Sequence, residues 1–255
     1  MTRLIYNHGK WHYELIEALG CWRTLGWYCA NTDAIHAHLK TAGAPQRSTE
    51  SGKLVDVPKR EIKKWIDGVS ESINIAFDAY SRQLVVVVAS VIEAALAEVF
   101  AVLFTARPES MHRLESELAQ AGVRLSTSLE ELSAAQSIDE LRATVVDRAV
   151  SVAVQGKPRT LLKRIERLFG CSIDSPLLSA YVELIDARNR IVHEHSRSPV
   201  STEEVERFFD TGTQFVEFLG KAATAAKVPV DDPMMLFGEY VAITPDEFDE
   251  IPFDT

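Results

Sequence analysis

The residues best suited to chemistry lie near the end of one segment, LLSAYVELIDARNRIVHEH, which covers residues 177–195. Apolar side chains recur there every three or four residues, as on one face of a helix, but Arg188 occupies a position where a core residue is expected. A guanidinium keeps its charge, so it requires a partner or a polar cleft there. Asn189 and His193, four residues apart, lie on an adjoining face. An arginine, an amide and an imidazole so arranged are suited to binding a phosphate and transferring a proton.

A simpler interpretation of the same residues is a solvated helix end. Arg and His occur within five residues of each other often by chance, and Asp186 with Arg190 could form an i,i+4 ion pair that contributes only about 0.3–0.5 kcal/mol. Spacing alone favours this interpretation. The interruption of the apolar face by Arg188, together with a family resemblance, shifts the balance towards a functional site.

The segment resembles the signature of the HEPN superfamily (higher eukaryotes and prokaryotes nucleotide-binding domains), whose ribonucleases carry an arginine, four to six residues, and then a histidine. In this chain the motif is Arg188, Asn189, three residues and His193, followed by Glu194. The resemblance is to bacterial members and covers roughly residues 70–225. It includes an apolar helix upstream, a basic helix before the motif and an amphipathic helix after it.

The resemblance implies an all-α fold, an antiparallel helical bundle that here carries additional N-terminal helices. It also implies an endoribonuclease that uses no metal and no cofactor, with its site assembled where the motif helices of a homodimer meet. By this analogy His193 acts as general acid or base, Arg188 stabilises charge on the phosphoryl oxygens and Asn189 orients the phosphate. The expected products are 2′,3′-cyclic phosphate and 5′-hydroxyl ends, and DNA is expected to resist cleavage.

Neighbouring polar residues are further candidates. Glu194, His195 and Arg190 are expected to support the site. His195 continues the apolar stripe beyond Arg188, either as a second cleft residue or as the solvated end of the helix before Pro199. The candidate RNA-binding residues belong to the preceding basic helix: Arg159, Lys163, Arg164 and Arg167.

The spacing of the histidines and cysteines argues against a metal site. His8 and His12 are four residues apart, but no acidic or cysteine partners surround them, and His36 and His38 have the wrong spacing for one helix face. The three cysteines are odd in number and fit no zinc spacing, which favours reduced thiols in a cytoplasmic protein.

Three regions are predicted along the chain. Residues 1–56 are expected to form an N-terminal helical extension and a linker, residues 57–227 the HEPN-like helical domain, and residues 228–255 a flexible or docking acidic tail. The long helix upstream of the motif is expected to break near Gly68, and Ser201 with Glu204 predicts a capping box for the last helix. The tryptophans of the first helix are predicted to lie in the core: Trp11, Trp22 and Trp27.

Charge is distributed unevenly. The chain carries −10 overall, but residues 228–255 hold eight acids and no Lys or Arg, which leaves −2 for residues 1–227. Residues 157–197 contain eight basic and five acidic residues. A locally basic cleft of this size fits one or two phosphates rather than a long strand.

One apolar stretch, residues 84–104, is long enough to cross a membrane, but Glu93 and Glu98 oppose insertion, so a buried helix is predicted. Glu93 is then a capped core carboxylate or a member of the cleft. The opening residues lack the apolar core of a secretory signal, which favours a cytoplasmic location.

The sequence thus predicts a cytoplasmic endoribonuclease that acts as a toxin or an anti-phage defence effector, with a neutralising antitoxin or a defence protein as partner. Two alternatives stay open. The first is a non-catalytic HEPN-fold module that binds nucleotide, RNA or protein. The second is a helical adaptor that acts through its acidic tail.

Overall fold

The computed structural model describes residues 4–41, 45–47, 51–56, 61–195 and 197–231. Most of the predicted acidic tail, residues 232–255, therefore lies outside the described residues. In chain order the elements are α1 (His8–Ala30), α2 (Thr32–Thr41), β1 (Pro45–Arg47), β2 (Leu54–Asp56), α3 (Ile62–Ala106), a 3₁₀ helix (Pro108–Leu114), α4 (Glu115–Gln120), α5 (Leu129–Ala134), α6 (Ile138–Ala153), α7 (Pro158–Phe169), α8 (Ser175–His193) and α9 (Thr202–Ala225).

Helices build the core, so the prediction of an all-α protein is confirmed. The predicted linker contains a minor departure, because β1 and β2 form a two-stranded antiparallel hairpin with Gln46 opposite Val55. Gly52, between the strands, has a φ of 65°, a left-handed conformation that glycine adopts without steric cost. The capping box predicted for α9 is also confirmed, with Ser201 and Glu204 bonding each other's backbone N–H groups.

The longest element is α3, whose 45 residues span about 68 Å at ~1.5 Å per residue. The break expected at Gly68 is wrong, because the helix runs through this residue without interruption. A glycine inside a helix costs only about 1 kcal/mol, which the continuous hydrogen bonding around it offsets. The Ser72 hydroxyl donates a further bond of 2.9 Å to the Gly68 carbonyl.

Four helices form the centre of the bundle. Helices α3 and α9 pack against each other, and both α1 and α8 pack against this pair. Trp22 bonds Ser81 while Trp11 bonds Glu98, so α1 runs antiparallel to α3. Since α1 and α8 each contact both members of the same pair, they occupy opposite corners of the bundle.

The tryptophans of α1 divide between interior and surface. Trp22 is buried and donates its indole N–H to the Ser81 hydroxyl at 2.9 Å, as predicted for a core residue. Trp11 is half-buried and donates to Glu98 at 2.6 Å. The core prediction for Trp27 is wrong, because 71% of this residue is exposed. Trp27 lies on the side of α1 that faces away from α3 and α9.

The apolar stretch around residues 84–104 lies within α3. This helix is the one in the described part of the chain that is long and apolar enough to cross a membrane, and 56% of its most apolar window is buried inside the protein. The expected core position of Glu93 is wrong, since the residue is exposed. Glu98 is half-buried and accepts bonds from the Asn7 backbone N–H and the Trp11 indole.

Close packing of α9 on α3 and α1 depends on Gly212. A Cβ atom at this position would lie 2.8 Å from Val88 Cγ1 and 3.3 Å from Leu15 Cδ1. We expect Gly212→Ala to lower the free energy of unfolding by about 1–3 kcal/mol, because the interior has no room for the methyl group. Chemical denaturation measures the change. Gly68→Ala is the control; its Cβ meets open space, so it should raise stability by about 0.5–1 kcal/mol. Equal effects would contradict the packing argument.

The two ends of the described chain meet. The Tyr6 backbone N–H donates to the Pro229 carbonyl at 2.9 Å, and the Asp231 N–H donates to the Tyr6 carbonyl at 2.8 Å. Tyr6 and Val228 are buried in the same core as α3 and α9. The boundaries drawn from the sequence at residues 57 and 228 therefore do not separate independent cores.

This contact predicts different outcomes for two truncations. A chain ending at Asp231 keeps the contact with Tyr6, so we expect its stability to match that of the full chain. A chain ending at Lys227 loses buried Val228 and both bonds to Tyr6, and we expect it to lose about 2 kcal/mol or more. Thermal unfolding of the two proteins compares them; an equal loss in both would mean that residues 232–255 themselves stabilise the fold.

Candidate active site

The helix that carries the motif, α8, is fixed at its start and along one side. The Asp174 carboxylate accepts a bond of 2.8 Å from the Leu177 N–H, and Pro176 occupies the first turn. Leu177, Tyr181 and Leu184 are buried, and the Tyr181 ring stacks on Phe215 of α9 with centroids 4.5 Å apart. The apolar stripe predicted from the sequence therefore holds α8 against the bundle and leaves its last turn at the surface.

Three predicted residues meet at this last turn. One terminal nitrogen of Arg188, Nη1, donates to Asn189 Oδ1 at 3.1 Å and lies 3.4 Å from His193 Nε2. An arginine nitrogen can only donate, so the ring nitrogen that faces it accepts. Where this contact is a hydrogen bond, the ring carries its hydrogen on Nδ1. The imidazole and the guanidinium thus lie side by side, where one phosphodiester can contact both.

Arg188 also brings a buried donor to this position. The residue as a whole is half-buried, but its Nε atom is shielded from solvent and has no hydrogen-bond partner among the described residues. A buried unpaired donor costs about 1–3 kcal/mol. A donor of this kind takes an acceptor from a water, an ion or a ligand, and an arginine fork matches the oxygens of a phosphate.

The three supporting candidates are exposed. Arg190 lies on α8 but forms no ion pair with Asp186 in the described part of the chain. Glu194 is the first residue after α8, and His195 has left the helix with a φ of 52°. The sequence expectation that His195 continues the helical stripe is therefore wrong. Both residues remain next to His193 along the chain.

A residue of α3 that the sequence did not indicate lies close to the segment after the motif. Arg82 Nη1 is 3.5 Å from the Arg197 carbonyl, which makes a weak bond between α3 and the α8–α9 connection. The two residues are 115 positions apart in sequence, so no local pattern could have linked them.

The basic helix α7 offers two free cations. Arg159 and Lys163 are exposed, lie one turn apart and form no ion pair among the described residues. Arg167 is ion-paired with Glu117 of α4. The assignment of Arg164 to an RNA-binding surface is corrected, because only 6% of this residue is exposed.

Arg164 serves the interior instead. Its Nη1 donates to the carbonyls of Val152 and Ala153, in the last turn of α6, and of Gln155, just beyond this helix. Its Nε lies 3.8 Å from Glu117. A cation in this position adds a donor to carbonyls at the C-terminal end of a helix and matches the helix dipole.

Glu117 joins the two arginines of α7 to α4. Burial alone would raise the pKa of its carboxyl group, but hydrogen bonds from Ser116 and Arg167 and the charge of Arg167 lower this pKa to about 2. Because folding lowers this pKa, the ionised carboxylate stabilises the folded state fully when the pH is above the ordinary carboxyl pKa. This contribution to stability is lost as the pH falls towards 2.

The N-terminal histidines lie in the interior at the start of α1. His8 and His12 are buried with their rings stacked and centroids 5.9 Å apart. Burial lowers the pKa of His12, against an opposing effect of Glu217. Within the described residues no three His, Cys, Asp or Glu side chains are grouped to hold a metal ion.

Comparisons of the chain with protein-family models, with curated proteins and with solved structures find no match.

Proposed function

We propose that this protein is a metal-independent endoribonuclease with a HEPN-type helical bundle. The observation that carries the proposal is the meeting of Arg188, Asn189 and His193 at the exposed end of α8. The unpaired Nε of Arg188 supports it, because this buried donor needs an acceptor such as a phosphoryl oxygen.

The proposed reaction uses the neutral His193 ring first. Its Nε2 takes the proton of a ribose 2′-hydroxyl, and the 2′-oxygen attacks the adjacent phosphorus. The bond from phosphorus to the 5′-oxygen breaks, and this oxygen leaves with a proton. The products are a 2′,3′-cyclic phosphate and a 5′-hydroxyl. Arg188 stabilises the charge that builds on the phosphoryl oxygens, and Asn189 holds Arg188 and the phosphate in register.

A single chain places one motif histidine at this site, whereas the reaction needs both a base and an acid. A homodimer in which the ends of two α8 helices meet would supply a second His193. Arg159 and Lys163 of α7 are the remaining candidates for contacts with the RNA backbone, since both are exposed and unpaired among the described residues.

The proposed setting is a cytoplasmic toxin or anti-phage defence effector, held in check by an antitoxin or activated by a defence partner. A small exposed site that needs no cofactor suits an enzyme that cleaves whatever RNA reaches it. A second hypothesis is that residues 232–255 inhibit the ribonuclease activity, because their acidic side chains compete with RNA for the basic surface.

The test compares RNA with DNA of the same sequence in the presence of EDTA. We expect the full chain to cleave the RNA, to leave cyclic-phosphate ends and to spare the DNA, because deoxyribose lacks the attacking hydroxyl. Cleavage of both polymers, or cleavage that EDTA abolishes, would contradict the proposal. RNA binding without cleavage, also after removal of residues 232–255, would favour a binding module instead.

A further inference from the structure

Helix α1 exposes an unusual set of large side chains on the side opposite the core. We define the α1 outer face by the residues that project there: Tyr13, Ile16, Glu17, Gly20, Arg23, Thr24 and Trp27. Trp27 is 71% exposed, Tyr13 66% and Ile16 53%. A single exposed apolar residue is ordinary, but three of them along four turns of one helix face form a patch that water solvates poorly.

The α1 outer face is symmetric in sequence about Gly20. Tyr13 lies seven residues before this glycine and Trp27 seven residues after it. Seven residues are close to two helical turns, so all three share one face. If a second copy crosses in the opposite direction at Gly20, Tyr13 of each copy faces Trp27 of the other. Aromatic pairs of this kind stabilise interfaces beyond the area that they bury.

The charged residues of the α1 outer face are also placed symmetrically about Gly20. Glu17 precedes Gly20 by three residues and Arg23 follows it by three. An antiparallel arrangement brings Glu17 of one copy beside Arg23 of the other, and the two-fold axis repeats this contact. Glu17 is exposed and has no ion-pair partner among the described residues, whereas Arg23 contacts Glu206 at 3.0 Å and remains 59% exposed. Arg23 is therefore placed to bridge two carboxylates.

Gly20 makes close approach possible at the centre. No atom lies within 4 Å of the Cβ that a larger residue would carry there, so the glycine is not required by packing within the chain. In the middle of a helix it costs about 0.5–1 kcal/mol relative to alanine. A second helix that crosses here can pack directly against the backbone of α1, and this close packing would explain why a destabilising glycine occupies the position.

We propose that the α1 outer face binds a second copy of this chain, with the two α1 helices antiparallel and a two-fold axis at Gly20. This interface lies at the corner of the bundle opposite α8. It is therefore distinct from the proposed meeting of two α8 helices and does not depend on the proposed ribonuclease activity.

Cysteine cross-linking tests the position of the axis. In a background with Cys21, Cys29 and Cys171 replaced by serine, Gly20→Cys is expected to give a disulfide-linked dimer on mild oxidation, because residues on a two-fold axis meet their own copies. Gly68→Cys is the matched control, since Gly68 is also an open glycine within a helix. We expect this control to stay monomeric on a non-reducing gel. Equal cross-linking of both variants, or none of Gly20→Cys, would overturn the proposal.

A charge exchange tests the antiparallel direction. Glu17→Arg places like charges together and is expected to weaken association about tenfold. Adding Arg23→Glu together with Glu206→Gln, which removes the carboxylate that Arg23 pairs with inside the chain, is expected to restore the attraction. Trp27→Glu is expected to lower the mass in solution by half or more. Leu129→Glu, at a leucine of α5 that is 81% exposed, should leave the mass unchanged. Ultracentrifugation measures these masses. Failure of the double exchange to recover association would overturn the antiparallel arrangement, whatever the ribonuclease assays show.

Discussion

His193→Ala is expected to reduce RNA cleavage by about 10²–10⁴-fold, the usual contribution of a positioned acid or base. The His193 side chain is exposed at the last turn of α8 and lies outside the core. Its removal should therefore leave the thermal unfolding temperature within about 1–2 °C of the parent value, since exposed sites usually change stability by less than about 0.5 kcal/mol. Single-turnover cleavage of a labelled RNA separates the chemical step from binding.

Substitutions of Arg188 test the second role, the stabilisation of charge on the phosphate. Arg188→Ala is expected to cost about 10²–10³-fold, because it removes the charge that faces the phosphoryl oxygens. Arg188→Lys should recover little, since an ammonium cannot replace a planar guanidinium whose Nη1 lies beside both Asn189 and His193. Arg190→Ala is the matched control, as the Arg190 side chain lies on the same helix but forms no hydrogen bond with Asn189 or His193 in the described structure. Equal activity in the Arg188 and Arg190 variants would contradict the proposed site.

Arg164→Met is expected to lower the free energy of unfolding by about 3–5 kcal/mol, the cost of breaking a buried charged network by removing one partner. Methionine fills much of the same volume but removes the buried donor from the carbonyls of Val152 and Ala153 and one of the two arginine charges beside Glu117, so that only Arg167 still pairs with this carboxylate. Urea denaturation measures the loss.

Lys163→Met is the control for this substitution. Lys163 precedes Arg164 on α7 and is exposed, so its replacement should change stability by less than about 0.5 kcal/mol. The same pair discriminates between functions: Lys163→Met should weaken RNA binding and reduce its dependence on salt. A stable Arg164→Met protein with weakened RNA binding would restore the surface assignment that the structure removes.

Helix positions were largely predictable because local signals define them. The capping box of Ser201 and Glu204 is a pattern of four residues, and the apolar side chains of α8 recur every three or four residues. The hairpin of β1 and β2 was missed because three-residue strands carry too few positions for alternation to appear.

Side-chain burial was harder to predict where it depends on how other helices pack against the one that carries the residue. Arg164 and Lys163 are adjacent basic residues, and only the position of the α6 carbonyls decides that one enters the core. Tryptophan is a residue type that is often found in protein cores, yet Trp27 lies on the face of α1 that no other described helix covers. The three residues of the motif were found because they lie within six consecutive positions of one helix.

The pairing of Tyr6 with residues 229–231 has a consequence for the order of synthesis. Helix α1 rests on α3 and on α9, yet more than 170 residues separate the end of α1 from the start of α9. At about 5–20 residues per second, a ribosome needs roughly 10–40 s to pass from α1 to residue 231. During this time one side of α1 is uncovered and Tyr6 has no strand to pair with. The protein closes only when its last described residues emerge, so a nascent chain that stalls before α9 would present an open apolar face to chaperones.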